Sequence, residues 1–302
     1  MKLRLGTRGS ALAKTQSGLV ADWLRALGVE VEMIAIKTTG DRLSELHQPI
    51  EGKGIFTKEL DEALFDGRID LAVHSMKDLP SEIPRGLEIA AVPEREDARD
   101  VLITREGVPL AGLRSGAAVG TGSPRRAGQL RALRPDLRCV EARGNVDTRI
   151  RKLSEGAWDA IVLARAGLRR LGRDGEATQV LEVSEMIPAV AQGALAITTR
   201  QGEPIAPVRS LDHPPTRAAV LCERRILRDL EGGCRAPVAA HARLAGGTIA
   251  LAAAVMSLDG ATVIRVDREG PAADPERLGE EAAAALLARG AAAVVAAARQ
   301  SA

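Results

Sequence analysis

The chain has 302 residues, enough for two or three domains, and it is 45% hydrophobic and 27% charged with a net charge of +2. These values exclude a disordered or fibrous chain and are typical of a soluble globular protein. The longest apolar tract, 282–298, is interrupted by Arg289 and Gly290, so we predict a pair of surface helices there and no membrane span. The N-terminus has no apolar run of signal-peptide length, and three cysteines favour a reducing cytoplasm over a disulfide framework.

The chain begins with a predicted strand, 3–7, followed by a helix that starts after Ser10. This junction places free backbone N–H groups, Arg8 and a hydroxyl at a helix N-terminus, which predicts an anion site. The alternative is a Ser10 N-cap beside a solvated arginine.

A loop over 39–57 precedes the next helix and is long enough to indicate a functional or mobile segment. The strand predicted over 69–75 is a continuous apolar run of the buried parallel type. It ends at Lys77 and Asp78, and the carboxyl ends of strands are where open α/β sheets bind ligands. A surface lysine–aspartate pair is the alternative.

A charged linker over 93–99 leads into a second unit, in which Gly120-Thr121 opens a strand–loop–helix as Gly6-Thr7 does in the first. The repeat predicts two similar halves. Between Arg114 and Arg173 there are fourteen basic and five acidic residues, a net charge of +9, which predicts a polyanionic partner. Nucleic acid would fit the charge, but Trp158 is the only aromatic residue of this segment, so a polycarboxylate in a cleft fits better.

The chain leaves the second unit through 187–193, and a strand over 194–199 is expected to return to the first sheet. Two such crossings are typical of hinged anion-binding proteins. A third unit begins near His213 with a helix, a Gly-Gly-Cys234 turn and three strands. The two glycines leave Cys234 little neighbouring bulk, whereas Cys139 and Cys222 fall in a strand and a helix and are predicted to be packed and inert.

Six motifs, in this order and spacing, resemble those of the porphobilinogen deaminase (hydroxymethylbilane synthase) family, and the resemblance covers essentially the whole chain. They are 52–56 (Gly-Lys-Gly-Ile-Phe), 73–80 (Val-His-Ser-Met-Lys-Asp-Leu-Pro), 120–126 (Gly-Thr-Gly-Ser-Pro-Arg-Arg), 143–146 (Arg-Gly-Asn-Val), 188–193 (Pro-Ala-Val-Ala-Gln-Gly) and 230–234 (Leu-Glu-Gly-Gly-Cys). The resemblance implies two doubly wound α/β domains similar to periplasmic binding proteins and a small α+β C-terminal domain. We place domain 1 at 1–93 and 194–211, domain 2 at 99–187 and domain 3 at 216–302.

The resemblance also implies a transferase that deaminates four porphobilinogen molecules, joins them head to tail on a dipyrromethane cofactor, and releases hydroxymethylbilane by hydrolysis. Each pyrrole ring carries an acetate and a propionate, so the growing chain is a polycarboxylate. The thioether to the cofactor would form on Cys234, and we expect a cytoplasmic monomer that requires no metal and binds neither nucleic acid nor membrane.

The site residues that the resemblance implies fall into two groups. The cofactor would be held by Cys234, Lys77, Asp78, Thr121, Ser123, Arg125 and Arg126, with Asp78 also catalytic toward the pyrrole N–H groups. Incoming substrate and later rings would meet Arg8, Ser10, Gln16, Lys53, Phe56, Arg143, Arg149, Arg170 and Gln192, of which Lys53 and Phe56 lie in the long loop, an expected active-site lid.

Three positions depart from the family pattern: Gly122 replaces a common serine, Pro124 a common aliphatic residue and Ala191 a usual glycine. Pro124 at a first helical position carries no cost, Gly122 removes one possible anion contact, and Ala191 is expected to stiffen the crossover.

A non-catalytic hinged binding protein for an anion is the main alternative function, and it has no need of a third domain with a loop thiol. A nucleic-acid-binding protein is the third possibility.

Overall fold

The computed structural model describes residues 1–41, 54–203, 205–230 and 236–300. Its strands are β1 (Lys2–Arg8), β2 (Glu30–Ile36), β3 (Leu71–Ser75), β4 (Leu87–Ala91), β5 (Asp100–Thr104), β6 (Ala118–Gly120), β7 (Arg138–Val140), β8 (Ala160–Ala164), β9 (Gln179–Leu181), β10 (Leu195–Arg200), β11 (Val238–Ala245), β12 (Thr248–Met256) and β13 (Val263–Pro271). Its helices are α1 (Ala11–Ala26), α2 (Lys58–Phe65), α3 (Pro124–Leu133), α4 (Val146–Ser154), α5 (Arg165–Arg170), α6 (Ala206–Arg209), α7 (Pro214–Asp229), α8 (Pro275–Ala288) and α9 (Ala291–Gln300).

The first compact unit comprises residues 1–96 and 194–217. Its five-stranded sheet has the order β2-β1-β3-β10-β4, in which β1 is parallel to β2 and β3, and β10 is antiparallel to β3 and β4. The predicted return of the chain to this sheet after residue 193 is therefore confirmed. The part of the sheet formed by the apolar strands β1 and β3 is buried on both faces. One face packs against α1 and the other face against α2, as expected for parallel strands.

The interior of this sheet holds a histidine whose protonation opposes folding. His74 on β3 is 5% exposed, and its Nε2 lies 3.0 Å from the hydroxyl of Thr198 on β10. Burial, and next the positive charge of Arg8, lowers the pKa of His74 from 6.5 to about 4. The unfolded chain thus takes up this proton at a higher pH than the folded protein does.

We expect His74 to contribute stability that is complete above pH 6.5 and is lost as the pH falls toward 4, by roughly 3 kcal/mol in total. The measurement is urea unfolding at pH 7 and pH 4.5, compared between the wild type and His74→Asn, which carries no titratable group. An asparagine variant that loses as much stability on acidification as the wild type does would contradict this assignment.

The second compact unit comprises residues 97–193 and 218–302. One of its sheets has the order β7-β6-β8-β5-β9, with β6 parallel to β7 and β8 and with β5 antiparallel to β8 and β9. The arrangement repeats that of the first unit, with β6 in the place of β1 and β5 in the place of β10. The prediction of two similar halves from the two Gly-Thr junctions is confirmed.

The same unit contains a three-stranded antiparallel sheet, β11-β12-β13, which α8 and α9 cover. The turn between β12 and β13 packs on α3 so closely that a methyl group on Gly260 would lie 2.6 Å from the backbone nitrogen of Ala132. Ile187 and Met256 join the two parts in one buried apolar cluster. The predicted fold class, two α/β sheets and a small α+β C-terminal region, is confirmed, whereas the division into three domains at the stated boundaries stays a prediction.

Ala191 is the one non-glycine residue of the described chain with a positive φ, 58°. The left-handed conformation costs a residue with a Cβ roughly 1–2 kcal/mol relative to the right-handed one, which accounts for the glycine that the resemblance implies at this position. The backbone N–H of Ala191 donates to Oε2 of the buried Glu223 at 2.6 Å, and this bond holds the residue in place.

Within the described residues, no single helix is long and apolar enough to cross a membrane; α8 and α9 reach that length and composition only as a pair, and they are bent by 79°.

Candidate functional site

In the first unit, the predicted site residues gather at the carboxyl ends of β1 and β3. Arg8 is the last residue of β1, and the Ser10 hydroxyl caps α1 by accepting the Ala13 N–H at 3.3 Å. Gln16, 3% exposed, donates its amide to the hydroxyl of Ser75 at the end of β3, over 2.8 Å. The parallel strands thus bring α1 and the end of β3 to the same edge of the sheet.

One of the two interpretations of this junction required a solvated Arg8. The structure contradicts that interpretation, because the guanidinium is paired and largely buried. Its Nη2 lies 2.6 Å from Oδ1 of Asp41, a carboxylate that also accepts the Thr38 hydroxyl at 2.8 Å. The Phe56 ring stacks on the guanidinium at 4.1 Å, a cation–π contact. Burial raises the pKa of Asp41, but the hydrogen bonds and charge of Arg8 together with the bonds from Thr38 outweigh it, and the pKa of Asp41 lies below its usual value.

Lys77 and Asp78 lie on a single 3₁₀ turn, Met76–Asp78, directly after β3. The two side chains are half-buried, while the neighbouring Met76 and Leu79 are almost wholly buried and anchor the turn on both sides. The Met76 N–H also donates to the Ala194 carbonyl at 3.0 Å. The sequence prediction that this pair stands at a strand's carboxyl end is therefore confirmed.

In the second unit, the corresponding strand–helix junction presents hydroxyls and arginines. The Thr121 hydroxyl accepts the Ser123 N–H at 3.2 Å, and Ser123 caps α3 by accepting the Arg126 N–H at 3.4 Å. Pro124 occupies the first turn of α3, as predicted. The Gly122 departure leaves little room for a larger side chain, because a methyl group there would lie 3.1 Å from the Ala142 carbonyl oxygen.

The side chains of Arg125 and Arg126 are buried, and both contact the fully buried carboxylate of Asp100. Arg126 donates to Oδ1 through Nε at 3.1 Å and Nη2 at 2.8 Å, and Arg125 Nη1 lies 2.7 Å from Oδ2. The Gln192 amide adds a bond of 2.9 Å to the same Oδ1. These cations hold the pKa of Asp100 well below its usual value although burial alone would raise it.

The positive charge of this cluster exceeds its negative charge. Arg149 on α4 donates its Nε to the Gly144 carbonyl at 2.8 Å, and within the described part of the chain no carboxylate pairs with it. Burial, and next the charge of Arg126, lowers the pKa of Arg149 to about 10. Arg125, Arg126 and Arg149 carry three positive charges, and within the described residues Asp100 is the one carboxylate that pairs with any of them. Such a desolvated excess of cations favours binding of an anion.

The remaining predicted arginines of this unit are Arg170, the last residue of α5, and Arg143, which lies in the loop before α4. Arg170 donates to the Gly193 carbonyl at 2.7 Å, next to Gln192, whereas Arg143 pairs with Glu141 at 2.6 Å. Lys53 and Cys234 lie outside the described residues, so the structure does not test the roles predicted for them.

The two other thiols are poor nucleophiles, as predicted from their places in a strand and a helix. Cys222 is completely buried, and burial followed by the charge of Glu223 raises its pKa to about 12. Burial also raises the pKa of the half-buried Cys139. Because the thiolate is the reactive form, neither favours thioether formation.

Asp100 and Asp41 are the two residues that the sequence analysis did not identify. A signal for Asp100 exists, because it opens an otherwise apolar buried strand, 100–104, and a charge in such a place must be paired. Asp41 carries no comparable signal, since its arginine partner is 33 residues away in the chain.

Two α/β units of the same strand order, each with arginines at a junction between a strand and a helix, define the class of this protein. The chain belongs to the porphobilinogen deaminase family. Residues 3–206 match the dipyrromethane cofactor-binding domain of porphobilinogen deaminase, and residues 217–288 match its C-terminal domain.

Relatives named porphobilinogen deaminase are similar over nearly the whole chain. The protein of Desulforudis audaxviator is 50% identical over 93% of this chain and 93% of its own length, and that of Corynebacterium diphtheriae is 48% identical over 95% and 97%. Among solved structures, the methionine-binding protein MetQ matches 70% of this chain and 89% of its own, at 12% identity and a TM-score of 0.44.

Proposed function

We propose that the chain catalyses the synthesis of hydroxymethylbilane from four molecules of porphobilinogen, primed by a dipyrromethane bound covalently to Cys234. The observation that carries the proposal is the excess of buried cations around Asp100, because a chain of pyrroles bearing acetates and propionates is the kind of polycarboxylate that would balance them. Family membership of the whole chain supports the same reaction.

The residues present fit the dipyrromethane cofactor. Arg125 Nε is buried and has no hydrogen-bond partner within the described residues, so an acceptor oxygen brought by a ligand would satisfy it. Arg149, which pairs with no carboxylate among the described residues, supplies a further cation for the carboxylates of rings that are added later. The hydroxyls of Thr121 and Ser123 add polar groups in the same unit, at a strand end and a helix N-terminus, where anions are favoured. In the first unit, Lys77 provides a cation at a strand end.

When bound, the dipyrromethane supplies the free pyrrole α-carbon to which the first porphobilinogen is joined. The arginines bind and orient the ring carboxylates, because a guanidinium matches a carboxylate through two parallel hydrogen bonds. Asp78 accepts hydrogen bonds from pyrrole N–H groups and stabilises the positive charge that develops there during ammonia loss and during coupling. The buried Met76 and Leu79 anchor the turn that carries this carboxylate, so little reorganisation is needed.

We further propose that the protein acts as a monomer in the cytoplasm, on small molecules. The small, odd number of cysteines supports the compartment. Nucleic-acid binding is disfavoured because Trp158, the one aromatic residue of the basic segment, is 8% exposed and packs against Gly120 in the core, so it cannot stack on a base.

The test uses two arginines on the same helix. Arg149→Leu should keep the cofactor but lower the rate of porphobilinogen consumption by about a hundredfold or stall the chain partway, because the incoming carboxylate loses its cation. Arg143→Leu and Arg170→Leu should stall in the same way. Intact mass spectrometry after addition of substrate displays the bound intermediates.

Arg151→Leu is the matched control, since Arg151 is 61% exposed and, among the residues that the structure describes, pairs only with Glu155 one turn along the chain. It should elongate the chain as the wild type does. Equal impairment of both variants, or none in either, would count against a polycarboxylate substrate at Arg149.

A further inference from the structure

Gln129 forms an unusual two-point attachment between α3 and the segment 187–193. It lies one helical turn after Arg125, on the same face of α3, and is 6% exposed. Its Nε2 donates to the Ile187 carbonyl at 3.1 Å, and the Ile187 N–H donates to its Oε1 at 2.8 Å. One side-chain amide thus satisfies both backbone groups of a buried residue that belongs to no strand.

The same Ile187 carbonyl also fixes a predicted cofactor-binding arginine. Arg125 Nη1 donates to it at 2.7 Å and lies 2.7 Å from Asp100 Oδ2. The guanidinium is therefore held between two acceptors, and Gln129 determines where one of them stands. Gln129 Nε2 is in addition 3.3 Å from the Arg125 carbonyl, which ties the two residues within the helix.

The far end of the segment is attached to the same cluster. Gln192 donates to Asp100 at 2.9 Å and to the Ala98 carbonyl at 2.7 Å. Between the two ends, the N–H of Ala191 donates to Glu223. A shift of Ile187 would consequently move Arg125 directly and would reach Gln192 through only four intervening residues.

We propose that Gln129 is a positioning residue, which holds α3 in register with segment 187–193 so that Arg125, Arg126 and Gln192 meet the pyrrole carboxylates together. Gln129 itself acts through the arginines and the backbone, without contacting cofactor or substrate. The inference rests on the proposed function, in which these arginines bind the dipyrromethane.

The experiment compares Gln129→Met with Gln179→Met. Gln179 lies in the same unit and accepts the Leu110 N–H at 2.7 Å, so each variant loses side-chain bonds to a backbone group. Both should lower the midpoint of urea unfolding. Only Gln129→Met should reduce the fraction of purified protein that carries the cofactor adduct, by about tenfold as measured by intact mass, since a buried guanidinium out of place is costly.

The kinetics of the Gln129→Met molecules that do carry the cofactor are the second measurement. Their KM for porphobilinogen should rise about tenfold while kcat stays within about threefold of the wild type, because carboxylate binding is weakened and the Asp78 turn belongs to the other unit. Should Gln129→Met not fold, Gln129→Glu takes its place: it keeps the shape of the side chain, cannot donate to Ile187 when ionised, and competes with Asp100 for Arg125.

Full loading and an unchanged KM in the Gln129 variant would overturn the inference. Arg125→Leu separates this outcome from a failure of the proposed function. If Arg125→Leu loses the adduct and the Gln129 variant does not, only the positioning role is wrong; if Arg125→Leu itself loads fully, the assignment of the arginine to the cofactor is wrong.

Discussion

An Asp78→Asn enzyme is expected to consume porphobilinogen about a hundredfold more slowly than an Asp78→Glu enzyme, a difference of roughly 2–4 kcal/mol in the barrier. Asparagine keeps the size of the side chain but removes the charge that stabilises the cationic pyrrole rings. Glutamate keeps the charge and moves it by one methylene, so slow turnover should remain. The turn that carries Asp78 is anchored by the buried Met76 and Leu79, and neither substitution alters these anchors.

Cofactor loading must be verified by intact mass for both variants, so that a difference in rate reports on turnover and not on loading. An asparagine enzyme that equals or exceeds the glutamate enzyme in rate would show that the charge of Asp78 does not stabilise the transition state.

Arg126→Leu is expected both to destabilise the protein, by about 3–5 kcal/mol, and to abolish cofactor loading. The loss of stability arises because Asp100, fully buried, loses the guanidinium that gives it two hydrogen bonds. The loss of loading is expected because Arg126 lies at the N-terminus of α3, next to Ser123 and Arg125. Urea unfolding of the cofactor-free proteins measures the first effect without a contribution from bound ligand.

The double variant Asp100→Asn, Arg126→Leu separates these two roles. In Arg126→Leu the carboxylate still pairs with Arg125 but has lost two hydrogen bonds, and an asparagine, which can still accept from Gln192, is less costly to bury with so few bonds. The double variant should therefore recover part of the stability, although Arg125 then lacks its carboxylate. Loading should stay absent. A double variant that regains the cofactor along with its stability would show that Arg126 serves the fold and not the dipyrromethane.

The elements of this fold could be predicted where their signal is local. The strands predicted over 69–75 and 194–199 are found at 71–75 and 195–200, because each is a mostly apolar run. The strand predicted over 3–7 is longer by one residue at each end, 2–8, since all seven residues pair with β2. The Lys77–Asp78 turn was placed correctly from its position after an apolar strand.

The features that the sequence did not reveal depend on pairs of residues distant in the chain. Asp100 meets Gln192, 92 residues away, and Arg8 meets Asp41 across a helix and a strand. Secondary-structure propensity and hydrophobic periodicity do not reveal such pairings, because both depend on residues that are neighbours within one turn or one strand. The left-handed conformation at Ala191 was likewise not predicted, although the departure from glycine marked the position.

Intact mass measurement of the purified protein, followed by peptide mapping, tests the central claim most directly. The mass should exceed that of the sequence by one dipyrrole, the adduct should map to the peptide containing Cys234, and brief exposure to porphobilinogen should add further pyrrole units in discrete steps. An unmodified protein that forms hydroxymethylbilane at full rate, or an adduct on Cys139 or Cys222, would contradict the account.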